Sequence, residues 1–281
     1  MSGAFDWLAV GDIAEEHTRD GHRRLGGRAA RLALHAASLK ASTAIVAKVG
    51  DDDAGKRLRE TLARAHVETS WLRQASATST TVWIEPDGTP AERRVQRGAD
   101  LALRLDELPS PGVKASLIVA SGYSLSVEPA RSAVIGALQG ATARGGRAAL
   151  LLDAELLWWT NARITRRVLE PALAASESVA LAAADAALLF GVLPARRAIK
   201  LVAEMGPRLV YLVQADGSVL LREGGRVHSF PAPPANGSHD RLAGPAAFWV
   251  GLAKRVSPQK AAADSIGNAG GRRPVTGNRT L

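Results

Sequence analysis

A segment near the carboxyl-terminal end, HDRLAGPAAFWVGL at residues 239–252, has the composition of a turn that starts a helix beneath a phosphate group. Its Ala243-Gly244-Pro245 triplet leads into an apolar run, and backbone N–H groups at a helix N-terminus bind anions. Asp240 is the only carboxylate in the segment, so it is the side chain here that could accept a proton during phosphoryl transfer. The segment therefore predicts phosphate chemistry.

A second phosphate-binding candidate, GDDDAGKR at residues 50–57, nearly matches a P-loop. Arg57 stands where a P-loop carries the hydroxyl that holds magnesium, and three aspartates at 51–53 would repel phosphates. Acidic residues are favourable near the positive end of a helix dipole. The motif thus predicts the N-terminus of a helix instead.

Several kinds of catalytic site are excluded by residue type and spacing. The chain has no cysteine, which rules out disulfides, thiolate metal sites and a cysteine nucleophile. It has no Gly-x-Ser-x-Gly elbow, and no two histidines share a helix face beside an acid as in zinc hydrolases. The histidines are His17, His22, His35, His66, His228 and His239.

A glycine pair, Gly26-Gly27, opens the predicted helix within RLGGRAARLALHAASL at residues 24–39. Glycine lets another group approach the backbone closely, which suits either tight packing or a bound ligand. The pair alone favours packing over a ligand site.

The elements that must position these residues are short apolar runs alternating with amphipathic segments. WLAV, TAIVAKV, SLIVAS and AALLLD each precede a helical pattern, which indicates βαβ units and a parallel sheet covered by helices. LVYLVQ and SVLLRE are joined by Ala-Asp-Gly and predict an antiparallel hairpin. We expect one α/β domain over 1–281, with a small β lid built from about 12–24 and 78–98, where TSTTVWIEPDGTPAERRVQRG is typical of a hairpin.

The net charge of +9 arises from 36 Lys plus Arg against 27 Asp plus Glu. The basic residues are scattered among Ala and Gly without interleaved aromatics, so a nucleic-acid partner is not expected. The N-terminal residues do not form a secretory signal, and the most apolar stretch carries Glu177 and Asp185, which argues against a membrane span. We expect a cytoplasmic protein.

Taken in chain order, the short patterns resemble those of the ribokinase-like carbohydrate and nucleoside kinases, the PfkB family. The resemblance rests on VGDIAEE at 10–16, the glycine pair, KVGDDDAG at 48–55, the hairpin at 78–98, LLLD ending at Asp153, QADG at 214–217 and DRLAGPAAFWVG at 240–251. It implies a three-layer αβα sandwich with a mainly parallel sheet and a small β-hairpin lid. It also implies transfer of the ATP γ-phosphoryl group to a hydroxyl of a sugar or nucleoside, with Mg-ATP as the cofactor.

The resemblance also assigns roles to individual positions. The family signature is Asp-Thr-x-Gly-Ala-Gly-Asp-x-Phe, and its second Asp, the proton acceptor, falls on Ala246. Its Gly-Ala-Gly anion hole falls on Ala243, Gly244 and Pro245. Pro245 has no N–H to donate to an anion. The family's Asn-x-x-Glu falls on residues 182–185. The implied substrate-side residues are Glu16, Gly26, Gly27 and Arg31, and the implied nucleotide-side residues are Asp185, Asp216 and Gly217; departures stand at Gln214, Glu155 and Leu157.

A second register remains open, in which Gly237-Ser238-His239-Asp240 stands for Gly-Ala-Gly-Asp and Asp240 is the proton acceptor. This register loses the matches at Phe248 and Gly251.

Three functions follow as hypotheses. The first is a pseudokinase with a binding, regulatory or complex-assembly role, because the proton acceptor and an amide donor are replaced together. The second is an active kinase acting on a sugar, sugar phosphate or nucleoside, in which Arg31 could favour an anionic acceptor. The third is a nucleic-acid or protein scaffold that uses the basic surface. The resemblance further implies a homodimer or a protein partner bound through the lid.

Overall fold

A computed structural model describes residues 4–18, 20–84, 93–141, 144–152, 162–233 and 240–269, which form a large mixed sheet, a small sheet and flanking helices. The large sheet has the strand order β13-β12-β11-β10-β9-β8-β1-β4-β5. All neighbours pair in parallel except β11 with β12 and β12 with β13, which pair antiparallel. The strands are β1 (Ala4–Val10), β4 (Thr43–Gly50), β5 (Val67–Ala75), β8 (Lys114–Ser121), β9 (Arg147–Leu152), β10 (Ser178–Ala182), β11 (Leu209–Val213), β12 (Val219–Glu223) and β13 (Arg226–Phe230).

The helices cover both faces of this sheet because its strands are apolar on both sides. Along β1, Trp7 and Ala9 join one buried cluster and Leu8 and Val10 join the other, as the two-residue period of a strand requires. The first cluster is covered by α1 (Arg28–Ser38), α2 (Asp53–Arg64), α7 (Ala243–Ala253) and α8 (Pro258–Ala269). The second is covered by α3 (Ala130–Gln139), α4 (Ala162–Ala175), α5 (Ala183–Phe190) and α6 (Ala195–Glu204).

The small sheet, which we name the lid sheet, has the order β3-β2-β6-β7. Its strands are β2 (Ala14–His17), β3 (Arg23–Gly26), β6 (Thr81–Ile84) and β7 (Arg93–Gln96). The first two strands lie between β1 and α1, and the other two lie between β5 and the short turn at Ala99–Ala102. The lid sheet is therefore built from two separate insertions between elements of the main α/β unit. The tip between β6 and β7 lies outside the described residues.

The predicted three-layer α/β arrangement is confirmed, as is the hairpin of β11 and β12 around Ala-Asp-Gly. The sequence does not predict three strands of the large sheet, β5, β10 and β13. Among the described residues, none of the helices combines the length and the apolar character needed to cross a membrane.

The helix start predicted for GDDDAGKR is also confirmed, since α2 begins at Asp53. Asp52 is its N-cap, and the Asp52 carboxylate accepts the Gly55 N–H at 2.7 Å. The same carboxylate accepts the Ser79 N–H and the Ser79 hydroxyl, each at 2.7 Å. Asp52 therefore joins α2 to the segment that leads into the lid sheet.

Replacing Asp52 with alanine is expected to lower the free energy of unfolding by about 2 kcal/mol, because a helix cap is lost and the Ser79 N–H loses its acceptor. Urea denaturation of the variant measures this loss. Asp53→Ala is the matched control, since Asp53 is exposed in the same turn and pairs with Lys56 at 3.4 Å. Equal losses in the two variants would contradict the capping role.

Candidate functional site

The candidate site lies at the topological switch point of the large sheet. From β1 the chain builds outward through β4 and β5, then returns to pair β8 with the other side of β1. In such sheets, ligands bind in the crevice at the carboxyl ends of the strands where the order reverses. At this point of the sheet lie Asp12, which follows β1, and Ser121, the last residue of β8.

Asp12 is buried and fixes the start of α1. Its carboxylate accepts the N–H groups of Arg28 at 2.5 Å and Ala29 at 3.1 Å. It also accepts the Ser121 hydroxyl at 2.6 Å. An anion at a helix N-terminus satisfies unpaired donors and complements the helix dipole. Asp12 thus sets the position of α1 relative to β1 and β8.

The glycine pair sits where β3 meets α1 and packs closely against this region. Gly27 has a φ of +84°, and a Cβ placed on it would lie 2.7 Å from the Asp12 carbonyl oxygen and 2.7 Å from the Ile13 Cα. A Cβ on Gly26 would overlap the Glu16 Cγ. The glycines therefore allow close approach of the protein's own chain, which is the packing interpretation of the sequence.

Replacing Gly27 with alanine is expected to cost about 2–4 kcal/mol of unfolding free energy, because left-handed strain adds to overpacking against backbone atoms. Thermal or urea denaturation measures this loss of unfolding free energy. Gly21→Ala is the matched control: Gly21 has a φ of +77°, and a Cβ added there would have no heavy atom within 4 Å apart from those of Gly21 and its two chain neighbours. A loss at residue 27 no greater than at residue 21 would show that the close contacts do not matter.

The two glutamates of β2 are both paired with arginine. Glu16, a predicted substrate-side residue, is buried and accepts Arg24 Nε at 2.8 Å. Glu15 accepts Arg57 Nε at 2.7 Å and lies 2.8 Å from His17 Nε2. Burial would raise the pKa of Glu15, but the hydrogen bonds from Arg57 and His17 lower it overall. Arg57, the residue that departs from the P-loop motif, therefore links α2 to strand β2 of the lid sheet.

Asp240 forms a cluster with Arg31 and His35, two residues on one face of α1. Arg31 Nη2 donates to Asp240 Oδ2 at 2.5 Å, and His35 Nε2 lies 2.9 Å from the same oxygen. Asp240 Oδ1 accepts the Leu242 N–H at 3.1 Å. The structure thus brings together the predicted residues Arg31 and Asp240, which are 209 positions apart in the chain.

This cluster keeps Asp240 ionised. Burial would raise the pKa of Asp240, but the hydrogen bond from His35 and the positive charge of Arg31 hold it well below the usual range of a carboxyl group. The side chains of Arg31 and Asp240 remain 20% and 23% exposed, so a ligand can reach both. The cluster therefore combines a carboxylate that can accept a hydrogen bond with a guanidinium that can attract an anion.

The first turn of α7 offers few free amides to an anion. The Ala243 N–H donates to the Asp240 carbonyl, and the Ala246 N–H donates to the Leu242 carbonyl. Pro245 has no N–H. Within the part of the chain that the structure describes, Gly244 therefore supplies the one N–H of residues 243–246 without a backbone acceptor.

Ala246 itself is fully buried in the apolar cluster beneath α7, beside Phe248 and Trp249. Ala246, which the resemblance aligns with the proton-accepting Asp, thus belongs to the core, and its side chain is only a methyl group. Among the described residues beside the start of α7, Asp240 is a carboxylate that can accept a proton.

The family assignment rests on a match of residues 9–240 to the model described as "pfkB family carbohydrate kinase". This match spans most of the chain, from β1 to Asp240. The chain belongs to the pfkB family of carbohydrate kinases.

Individual proteins are similar over nearly the whole length. A fructokinase of Klebsiella pneumoniae is 29% identical over 269 residues, which cover 92% of this chain and 87% of that protein. Aminoimidazole riboside kinase of Salmonella enterica, solved with aminoimidazole riboside and an ATP analogue, superposes with a TM-score of 0.81 at 20% identity, covering 95% of this chain and 91% of that one. The fructokinase of Halothermothrix orenii superposes with a TM-score of 0.79 at 22% identity, covering 94% and 98% of the two chains. The structural likeness shows the shared fold.

The nucleotide-side residues implied by the pfkB resemblance lie in two places. Asp216 and Gly217 form the turn between β11 and β12, where Asp216 accepts the Ser218 N–H at 2.9 Å and Gly217 has a φ of +82°. Asp185 lies in the first turn of α5 and is buried. The Asp216 carboxylate and the positive φ of Gly217 both serve the turn itself, and a nucleotide-side role for Asp185, Asp216 and Gly217 stays a prediction.

Several sequence-based assignments fall outside the described residues. These are the second register through Gly237 and His239, and the departures at Glu155 and Leu157 after Asp153.

Four residues are not predicted from the sequence: Asp12 and His35 at the site, and Thr80 and Asp100, which flank the hairpin of β6 and β7. An aspartate directly after a buried strand is a signal that could have identified Asp12. The spacing of four residues from Arg31 could have placed His35 on the same helix face. No local pattern pairs Thr80 with Asp100, which lie at opposite ends of the lid hairpin.

Proposed function

We propose that this protein is an ATP-dependent kinase that phosphorylates a hydroxyl group of a small sugar, with Asp240 as the proton acceptor. The observation that carries the proposal is the Arg31–His35–Asp240 cluster, which places an accessible carboxylate and an accessible guanidinium beside the start of α7. Membership of the pfkB family and the similarity to a fructokinase favour an active sugar kinase over the pseudokinase hypothesis.

The proposed reaction joins the sugar oxygen to the γ-phosphorus of ATP and breaks the bond from that phosphorus to the oxygen that leaves with ADP. Asp240 takes the hydroxyl proton as the new bond forms. Arg31 and the Gly244 N–H stabilise negative charge on the transferred group. A strongly lowered pKa makes Asp240 a weak base, but phosphoryl transfer depends mainly on positioning and charge stabilisation.

The substrate side of the proposed site lies between the carboxyl end of β1 and the lid sheet. Glu16 faces Gly26 there and keeps its carboxylate paired with Arg24. A sugar such as fructose offers several hydroxyl groups that can bond to carboxylate oxygens and to arginine N–H groups. A fructose-sized neutral sugar is the substrate class that the sequence relative supports.

Magnesium would reach this site with the nucleotide. Mg²⁺ usually keeps water and phosphate oxygens as ligands and needs only one or two protein carboxylates. No group of three or more His, Asp or Glu that could hold a metal occurs in the described ranges, and Asp185 is buried. The described residues therefore do not fit a metal site built by the protein alone, and the proposed role of Asp240 does not depend on one.

The direct test is to incubate the purified chain with Mg-ATP and a panel of fructose, other hexoses, pentoses and nucleosides. ADP release is followed by a coupled assay, and the phosphorylated product is identified by mass spectrometry. We expect turnover with at least one neutral sugar and none with buffer alone. Calorimetric titration with ATP and with each sugar, done separately, shows whether a missing reaction reflects missing binding.

A non-catalytic binding role is the second candidate. It is favoured by the burial of Ala246 and by the loss of amide donors at the start of α7. Sugar or nucleotide binding without product in the same experiments would support this role and contradict the kinase proposal.

Pairing of two subunits through the lid sheet remains a prediction from the resemblance. Sedimentation of the full chain, compared with a variant carrying charged substitutions on β6, tests it.

A further inference from the structure

Asp100 is a buried acid outside the cluster around Asp240. It lies in the turn at Ala99–Ala102 with a side chain that is 1% exposed. One carboxyl oxygen, Oδ1, contacts the Thr80 hydroxyl. The other, Oδ2, is buried and has no hydrogen-bond partner in the described part of the chain. An ionised carboxylate in that position would be strongly destabilised by the loss of its hydration.

Thr80 stands at the root of the lid sheet, directly before β6. Its hydroxyl accepts the Gly98 N–H at 2.7 Å, and its carbonyl accepts the Glu15 N–H at 2.8 Å. Gly98 directly precedes the turn that carries Asp100 and follows the end of β7 by two residues. The contact between Thr80 and Asp100 therefore ties together the beginning of β6, the end of β7 and the neighbouring strand β2.

Asp12 adds a like charge to this environment. Burial raises the pKa of Asp100 to about 8, opposed by the hydrogen bond from Thr80 and increased further by the negative charge of Asp12. Asp12 is held in place at the start of α1, since its oxygens accept the Arg28 N–H, the Ala29 N–H and the Ser121 hydroxyl. The negative charge of Asp12 therefore adds to burial in disfavouring a second negative charge on Asp100.

We propose that Asp100, in its neutral acid form, is a positioning residue that joins the beginning of β6 to the end of β7 at the root of the lid sheet, and that ionisation of Asp100 loosens the lid sheet. The consequence for the proposed kinase is weaker sugar binding at alkaline pH, because Glu16 on β2 belongs to the same sheet. This consequence rests on the proposed function, whereas the loosening does not.

The other charged groups near this turn are already engaged. Lys48 on β4 donates to the Ala102 carbonyl at 3.1 Å and pairs with Glu107. Arg131 on α3 donates to the carbonyls of Leu125 at 2.8 Å and Ser126 at 3.1 Å. Arg73, on the adjacent edge strand β5, is exposed to solvent. Asp12 is thus the group whose charge acts on Asp100.

The test is hydrogen–deuterium exchange of peptides containing β6 and β7, measured from pH 6 to pH 9.5 and corrected for the intrinsic pH dependence of amide exchange. In the wild-type chain, we expect the corrected exchange rate of the lid sheet to rise about tenfold or more above pH 8, while β8 and β9 stay protected. Asp100→Asn keeps the shape and a neutral group, so its lid sheet should exchange at a rate independent of pH.

Asp51→Asn is the control, because Asp51 is an exposed acid after β4, and it should retain the wild-type pH profile. Thr80→Val provides a second variant if Asp100→Asn does not fold; removal of its hydroxyl should raise exchange in the lid sheet at every pH. A wild-type rate that stays flat to pH 9.5, or an unchanged pH dependence in Asp100→Asn, would overturn the proposal. Because the readout needs no ATP turnover, its outcome is separate from that of the kinase assay.

Discussion

Asp240→Asn is expected to reduce kcat for sugar phosphorylation by about 10²–10⁴-fold, the usual contribution of a positioned general base. Asparagine keeps the size and a hydrogen-bond acceptor for the Leu242 N–H but cannot take up the hydroxyl proton. The proposed base lies in a cluster with Arg31 and His35, so the charge of Arg31 also loses its partner. A steady-state assay of ADP formation, with KM for the sugar determined separately, measures the effect.

The loss should fall on kcat rather than on KM, since the proton moves only as the new bond forms. Asp106→Asn is the matched control: Asp106 also pairs with an arginine, Arg104, at 3.0 Å, but both side chains are exposed and neither belongs to the Asp240 cluster. Thermal unfolding of both variants separates a catalytic loss from misfolding. An Asp240→Asn enzyme with wild-type kcat would exclude Asp240 as the acceptor of the sugar hydroxyl proton and would point to water as the acceptor.

The sequence predicts the interior of the large sheet better than its edges. β1, β4, β8 and β9 are continuous apolar runs because helices cover both of their faces. The unpredicted strands β5 and β13 are the two outermost strands, where VETSWLRQA and RVHSF mix polar with apolar residues because one edge meets solvent. β10 escapes prediction for another reason: SVALA lies in an alanine-rich stretch, in which a short strand cannot be told from a helix by periodicity.

The candidate site shows a similar division between local and long-range information. The start of α2 beside the aspartates at 51–53 follows from neighbouring residues in the chain, so the sequence predicts it, whereas the cap formed by Asp52 is seen only in the structure. The pairing of Arg31 with Asp240 depends on how α1 packs beside α7, which no local pattern encodes. The burial of Ala246 depends likewise on which face of α7 meets the core.

Between pH 3.8 and about pH 8, the titration of Asp100 should dominate the pH dependence of the unfolding free energy. Its pKa is about 8 in the folded chain and near 3.8 when exposed, so the folded state binds a proton that the unfolded state releases between these values. The unfolding free energy contributed by this group is therefore fully present at acidic pH and falls as pH rises, by up to about 1.4 kcal/mol per pH unit. Asp100→Asn removes this dependence.

Urea denaturation of wild type and Asp100→Asn at pH 4.5 and pH 8 should therefore show the stability of the variant rising, relative to wild type, by about 3–5 kcal/mol between the two values. The comparison isolates Asp100, because the titrations of other groups cancel when two chains differ at one side chain. Asp51→Asn should show no such change, since Asp51 is exposed in both states. A constant difference between Asp100→Asn and wild type would mean that Asp100 is ionised in the folded chain, and that Asp12 and Asp100 coexist as two charges at the root of the lid sheet.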